Sequence, residues 1–335
     1  MAAKKLKVAL IGFGGMGHFH AVCYRKQKYA DLVAICDIDK KKFDESRIKI
    51  NLGESGDVDL SGIKQCYSYK ELKETVDFDV LDICLPGHLH AEYAVKAMKD
   101  GYHVLCEKPM ARNLAQADRM IRVSRETNRY LMIAQCLRFW PIYQYLKDLY
   151  TSKKYGKLLR LDMRRNGSLP AQAWYRDPKK SGGALLDLHL HDTDFINWML
   201  GTPDAVQTFG IVRDTGGIDD LMTNYYYKNG PVVNSEGSWC KGSWFCSGIA
   251  VFSKATVEIA NNTVKIYKVD ETEHEEIKLD KNADAYSNEI AYFTECIIKG
   301  KTPENCMPES TRESIRIAAA EERSARNNGR KVNLK

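Results

Sequence analysis

No apolar run in this 335-residue chain approaches the roughly 20 residues that a membrane-spanning helix needs. Internal repeats and low-complexity segments are also missing. Neither sign of charge is in excess: 50 Lys and Arg stand against 44 Asp and Glu, a formal +6, with the two signs interspersed. Without a clustered basic patch, a dedicated nucleic-acid binder is excluded. The ten cysteines contain no C-x-x-C pair, and Cys36, Cys84, Cys106 and Cys136 lie in or beside apolar runs. They read as reduced core thiols, so neither a disulfide framework nor a metal site is expected. Met1-Ala2-Ala3-Lys4-Lys5 leads directly into an apolar run, so we expect no signal peptide and a cytoplasmic location.

What remains is ordinary globular composition, 44% hydrophobic and 28% charged, in a chain long enough for two domains. The first stretch, Leu6-Lys7-Val8-Ala9-Leu10-Ile11, has the length and apolarity of a buried parallel strand. Gly12-Phe13-Gly14-Gly15-Met16-Gly17 follows and fits the G-x-G-x-x-G spacing of a dinucleotide-binding turn. Gly12 allows the turn, Gly14 lets the backbone approach a pyrophosphate, and Gly17 lets the helix pack on the strand. The free N–H groups at that helix start would hold the phosphates. A second apolar run, Leu32 to Cys36, ends in Asp37, placed to accept hydrogen bonds from the adenosine ribose. A carboxylate there repels a 2′-phosphate and no Arg follows at once, so NAD is expected over NADP.

Strand and helix patterns then alternate as far as Cys136. Pro86 and Glu107-Lys108-Pro109 each follow a strand pattern, so with Gly12 and Asp37 they converge on one crevice at the carboxyl ends of a parallel sheet. Lys108 would be the cation at the cofactor edge. His90, ahead of the helix after Pro86, is the histidine best placed to touch the cofactor.

Arg138-Phe139-Trp140-Pro141 marks a change of pattern. We expect a Rossmann domain over residues 1–137. An α+β domain over 138–335 would carry a large, mostly antiparallel open sheet, with the C-terminal helix packing back on the first domain. A helix is predicted over Ala184 to Met199, with Asp187 and His191 four apart on one face. An Asp orienting an imidazole, together with a lysine, is a workable acid–base set. Trp174, Tyr175, Arg176 and Arg138 are candidates for substrate selection. A sheet with helices on one side leaves a face to cover, so a homodimer or homotetramer through it is expected. Phe209, Ile211, Tyr225, Tyr227, Trp239 and Phe252 are the residues considered for that face.

Taken together, these residues resemble the Gfo/Idh/MocA family, named for glucose–fructose oxidoreductase and inositol dehydrogenase. The likeness rests on Gly12 to Gly17, Pro86 with His90, Glu107-Lys108-Pro109, Gly182-Gly183 with Asp187 and His191, and the segment Glu289 to Phe293. It implies an NAD-dependent oxidoreductase moving a hydride between a secondary hydroxyl of a sugar, polyol or glycoside and the nicotinamide. Carried onto this chain, Lys108 contacts the reacting hydroxyl, His191 accepts its proton, and Asp187 supports His191. His88 stands where many relatives have Asn, and His189 where Gly is frequent. Two rivals stay open. A glycoside-processing enzyme could oxidise its sugar transiently, using the same residues. A non-catalytic NAD sensor would not need Lys108, Asp187 and His191 together.

Overall fold

The computed structural model describes residues 5–44, 49–50, 53–54, 56–280 and 284–335. Two compact units divide the chain: Met1–Cys136 with Ala285–Arg312, and Leu137–Asp284 with Glu313–Lys335.

In the first unit, the described strands form a six-stranded sheet. Their order is Lys64–Cys66, Ala30–Cys36, Leu6–Ile11, Val80–Ile83, His103–Glu107, Leu131–Ala134, and every pair is parallel. Val8, Leu10, Val80, Leu81, Val104 and Leu105 are fully buried, as expected of strands covered on both faces. The order reverses at Leu6–Ile11, so a ligand crevice opens at the carboxyl ends there. Helix starts are set locally: the Asn113 side chain accepts the Gln116 N–H at 3.0 Å and begins Leu114–Thr127. The helix Ala285–Lys299 belongs to this unit although it comes late in the chain. Its Tyr286 ring lies 6.3 Å from Phe19 and 6.2 Å from His20, on the first helix, Gly15–Tyr24. The lysine-rich stretch after Asp37 starts as a short 3-10 turn, Lys40–Asp44; residues 45–48 lie outside the described residues.

The described strands of the second unit form a nine-stranded sheet. Its order is Glu275–Lys278, Thr263–Lys268, Ala255–Ala260, Cys240–Phe252, Leu158–Ser168, Val232–Ser238, Asp220–Tyr226, Ala205–Ile211, Val332–Asn333. Only the pairing of Val232–Ser238 with Leu158–Ser168 is parallel. Side chains alternate between faces. One cross-strand row, Phe209–Met222–Glu236–Arg164–Ser247, looks away from the helices; the next contains Leu221, Gly237 and Arg165, all buried. Three of the residues considered for the open face are instead buried, namely Tyr225, Trp239 and Phe252, while Phe209, Ile211, Met222 and Ile249 are exposed.

The helix predicted over Ala184 to Met199 is composite. Leu185–His189 is a π turn, and Leu190–Leu200 continues as α-helix. A Cβ on Gly237 would come within 2.7 Å of His189 Nδ1, so the missing side chain is what lets this turn rest on the sheet.

Candidate active site

The glycine turn is built by close approach. Gly12 has φ +96°, and a Cβ on it would lie 2.6 Å from the Cys84 carbonyl oxygen. A Cβ on Gly17 would collide with the Gly12 carbonyl. Between residues 11 and 18 only Gly14, Gly15 and Met16 are not buried, so the start of Gly15–Tyr24 is where the chain is open to an anion. These residues fit a dinucleotide pyrophosphate. Asp37 turns one carboxylate oxygen to the Phe13 N–H at 2.8 Å and the other to the Asp39 N–H at 2.9 Å. Phe13 serves the turn and not the ligand surface: its ring is fully buried, stacked 3.8 Å from His18.

Pro86, His90, Glu107 and Lys108 come together. His90 is buried, with Nδ1 2.8 Å from the Pro109 carbonyl and Nε2 2.6 Å from the Leu85 carbonyl. Both ring nitrogens face backbone carbonyls, one of which accepts from the neutral ring, so His90 ties the loops after two strands together instead of meeting the cofactor with its ring. Burial lowers its pKa, against the pull of those carbonyls. Glu107 accepts the Lys108 N–H at 3.0 Å, and its other oxygen lies 3.2 Å from His20 Nε2. His20 Nδ1 meets Asp82 at 2.8 Å, and Tyr24 donates to the same Asp82 oxygen at 2.9 Å. Burial works against the His20 imidazolium, but Asp82 and Cys84 together outweigh it and hold its pKa well above the ordinary value. For Glu107, burial is likewise overcome, by His20 and Lys108, and its pKa is lowered. The chain Tyr24–Asp82–His20–Glu107 thus anchors the backbone of half-buried Lys108. Nothing in the local pattern singles out His20; the available signal was Asp82, a carboxylate inside the apolar strand Val80–Ile83.

In the second unit, every residue from Ala184 to Asn197 is buried except Asp187 and His191. The wider π turn keeps the two on one open stripe. Buried ion pairs fix the rest of the segment. Arg165 holds Asp192 with two bonds, at 2.8 and 3.0 Å, and Arg138 holds Asp194 at 2.8 and 2.7 Å. Arg138, considered for substrate selection, is only 1% exposed; its guanidinium braces the fold. Trp174 and Tyr175 stack at 3.8 Å on the turn Ala173–Arg176, half-buried, with Arg176 exposed beside them. Tyr175 also meets Trp239 edge-on at 5.7 Å.

Residues 6–135 match the family described as oxidoreductases with an NAD-binding Rossmann fold, and residues 143–257 match that family's C-terminal domain. The chain belongs to the Gfo/Idh/MocA oxidoreductase family. Its first unit is accordingly an NAD-binding domain. This Gfo/Idh/MocA chain is 30% identical over 165 residues to the trans-1,2-dihydrobenzene-1,2-diol dehydrogenase of Xenopus tropicalis. That stretch covers 47% of the chain and 48% of the relative, about half of each. It is 24% identical to the myo-inositol 2-dehydrogenase of Thermotoga maritima across 89% of the chain and 90% of the relative. Its fold is similar to that of the WlbA dehydrogenase from Bordetella pertussis, solved with NADH and UDP-GlcNAcA, at TM-score 0.81 and 19% identity over 100% and 99% of the two chains.

Proposed function

We propose that this enzyme oxidises a secondary hydroxyl of a sugar or polyol, with NAD as the acceptor. The observation that carries the reading is that Asp187 and His191 alone are partly open along an otherwise buried segment. A helix that opens only one carboxylate and one imidazole, one turn apart, presents an acid–base pair and little else. His191 accepts the hydroxyl proton, Asp187 orients its ring, and the Lys108 ammonium stabilises the oxygen as its charge develops. Bound NAD supplies the hydride acceptor. The Trp174–Tyr175 stack offers apolar faces to sugar C–H surfaces, and Arg176 a donor for hydroxyls.

The relatives' substrates, an inositol in one and a dihydrodiol in another, are ring compounds carrying secondary hydroxyls, which supports that substrate class. We further propose a homo-oligomer formed through the open sheet face. A reducing, cytoplasmic setting fits ten cysteines that are all free.

Steady-state kinetics on a panel of polyols, aldoses and glycosides, paired with NADH affinity, tests the reaction. His191→Ala and Lys108→Ala should each lower turnover by about 10²–10⁴-fold with cofactor affinity nearly unchanged. If His191→Ala keeps more than about a tenth of wild-type turnover, the proton acceptor is another group.

A further inference from the structure

Asp37 is not the only charge at the adenosine end of the site. The turn Lys40–Asp44 brings Lys42 back over it, placing Nζ 4.0 Å from Asp37 Oδ2. The same ammonium lies 3.5 Å from where a Cβ on Gly14 would stand. One cation therefore bridges the ribose-binding carboxylate and the phosphate-binding turn. Lys42 is about one-third exposed, enough to meet a ligand, whereas the Asp37 side chain is only 10% exposed. Both Asp37 oxygens already accept backbone N–H groups, which fixes the carboxylate in place. Lys40 lies 4.6 Å over the Tyr67 ring, and Lys41 is exposed. Asp39, Asp44 and Glu45 are the opposing charges nearby in sequence. Beside Asp37, Ile38 is 87% exposed, an apolar surface suited to a purine.

A carboxylate at this position rejects a 2′-phosphate by repulsion, and an ammonium 4 Å away offsets that repulsion and adds a donor. We propose that Lys42 makes the adenosine end of this site accept a ribose 2′-phosphate, so that NADP(H) binds as a second cofactor alongside NAD(H).

Calorimetric titration of NADH and NADPH into wild type, Lys42→Gln and Lys42→Arg reads this directly, without substrate. NADPH should bind wild type within about tenfold of NADH, and Lys42→Gln should widen that ratio by a further factor of about ten, chiefly through NADPH. Lys42→Arg should restore it. NADPH binding far weaker than that, or a ratio unmoved by Lys42→Gln, overturns the proposal while leaving the NAD site intact. Equal weakening of both cofactors also overturns it, because Lys42 would then serve the shared pyrophosphate. If neither dinucleotide bound, the cofactor site itself would fail and the proposal with it.

Discussion

Arg138 shows how a residue's surroundings decide its role. An arginine beside an aromatic cluster reads naturally as a substrate ligand, because Arg is seldom buried. Here the guanidinium is sealed against Asp194, which also accepts from Ser314 at 2.7 Å. Arg138→Ala should destabilise the protein by about 3–5 kcal/mol, since it strands a buried carboxylate. Adding Asp194→Leu should recover most of that loss. Urea denaturation of the single and double variants checks this. A raised KM with unchanged stability would instead return Arg138 to the substrate. The placements legible in advance were those set locally: Gly12, Gly14 and Gly17 in the turn by spacing, Asp37 at a strand end, and Asp187 with His191 on one face by helical period. Those missed depend on long-range partners. His20 needs Asp82 and Glu107, far away in sequence, and Lys42 reaches Asp37 only because a short 3-10 turn doubles the chain back.

The strands were readable because apolar runs of four to seven residues leave little choice in an alternating pattern. The π turn Leu185–His189 was not, since its wider backbone register answers to Gly237 on another strand. The helix Pro308–Arg326 adds to the same buried cluster. Glu321 accepts from Thr193 at 3.2 Å and lies 3.9 Å from His189 Nε2, and His189 also meets the Tyr225 hydroxyl at 3.2 Å. Burial pushes Glu321 up to about 7, against the hydrogen bonds from Tyr225 and Thr193. Burial, with Arg165 nearby, takes His189 down to about 3. A carboxyl whose folded pKa is raised binds a proton more tightly in the folded state. Its contribution is therefore complete below the ordinary 4.5 and is lost as pH rises through about 7. His189 runs the other way: its contribution is complete above 6.5 and is lost as pH falls toward 3. Glu321→Gln removes only the first effect. Its stability relative to wild type should improve by up to about 3 kcal/mol between pH 5 and pH 8. Thermal melts of both proteins at the two pH values measure this. A difference that stays constant with pH would rule out titration of Glu321.

The open sheet face combines apolar and ionic side chains. Phe209 and Met222 are paired across strands, and further along the same row Arg164 meets Glu236 at 3.0 Å. Such a surface suits self-association, with the exposed aliphatic and aromatic groups for affinity and the ion pairs for register. Light scattering at micromolar concentration should find a dimer or larger, and Met222→Lys should shift it toward monomer. A monomeric wild type would refute the assembly.

The discontinuity of the first unit has a consequence for biosynthesis. A ribosome finishes the glycine turn, the His20 cluster and all six parallel strands before it has made Tyr286. Until then the outer side of Gly15–Tyr24 lacks the partner against which Phe19, His20 and Gln27 pack. The nascent cofactor domain must therefore wait, with an ionisable cluster incompletely covered, while the whole of Leu137–Asp284 is translated. The cofactor domain thus closes only with residues 285–312, made after most of the second unit.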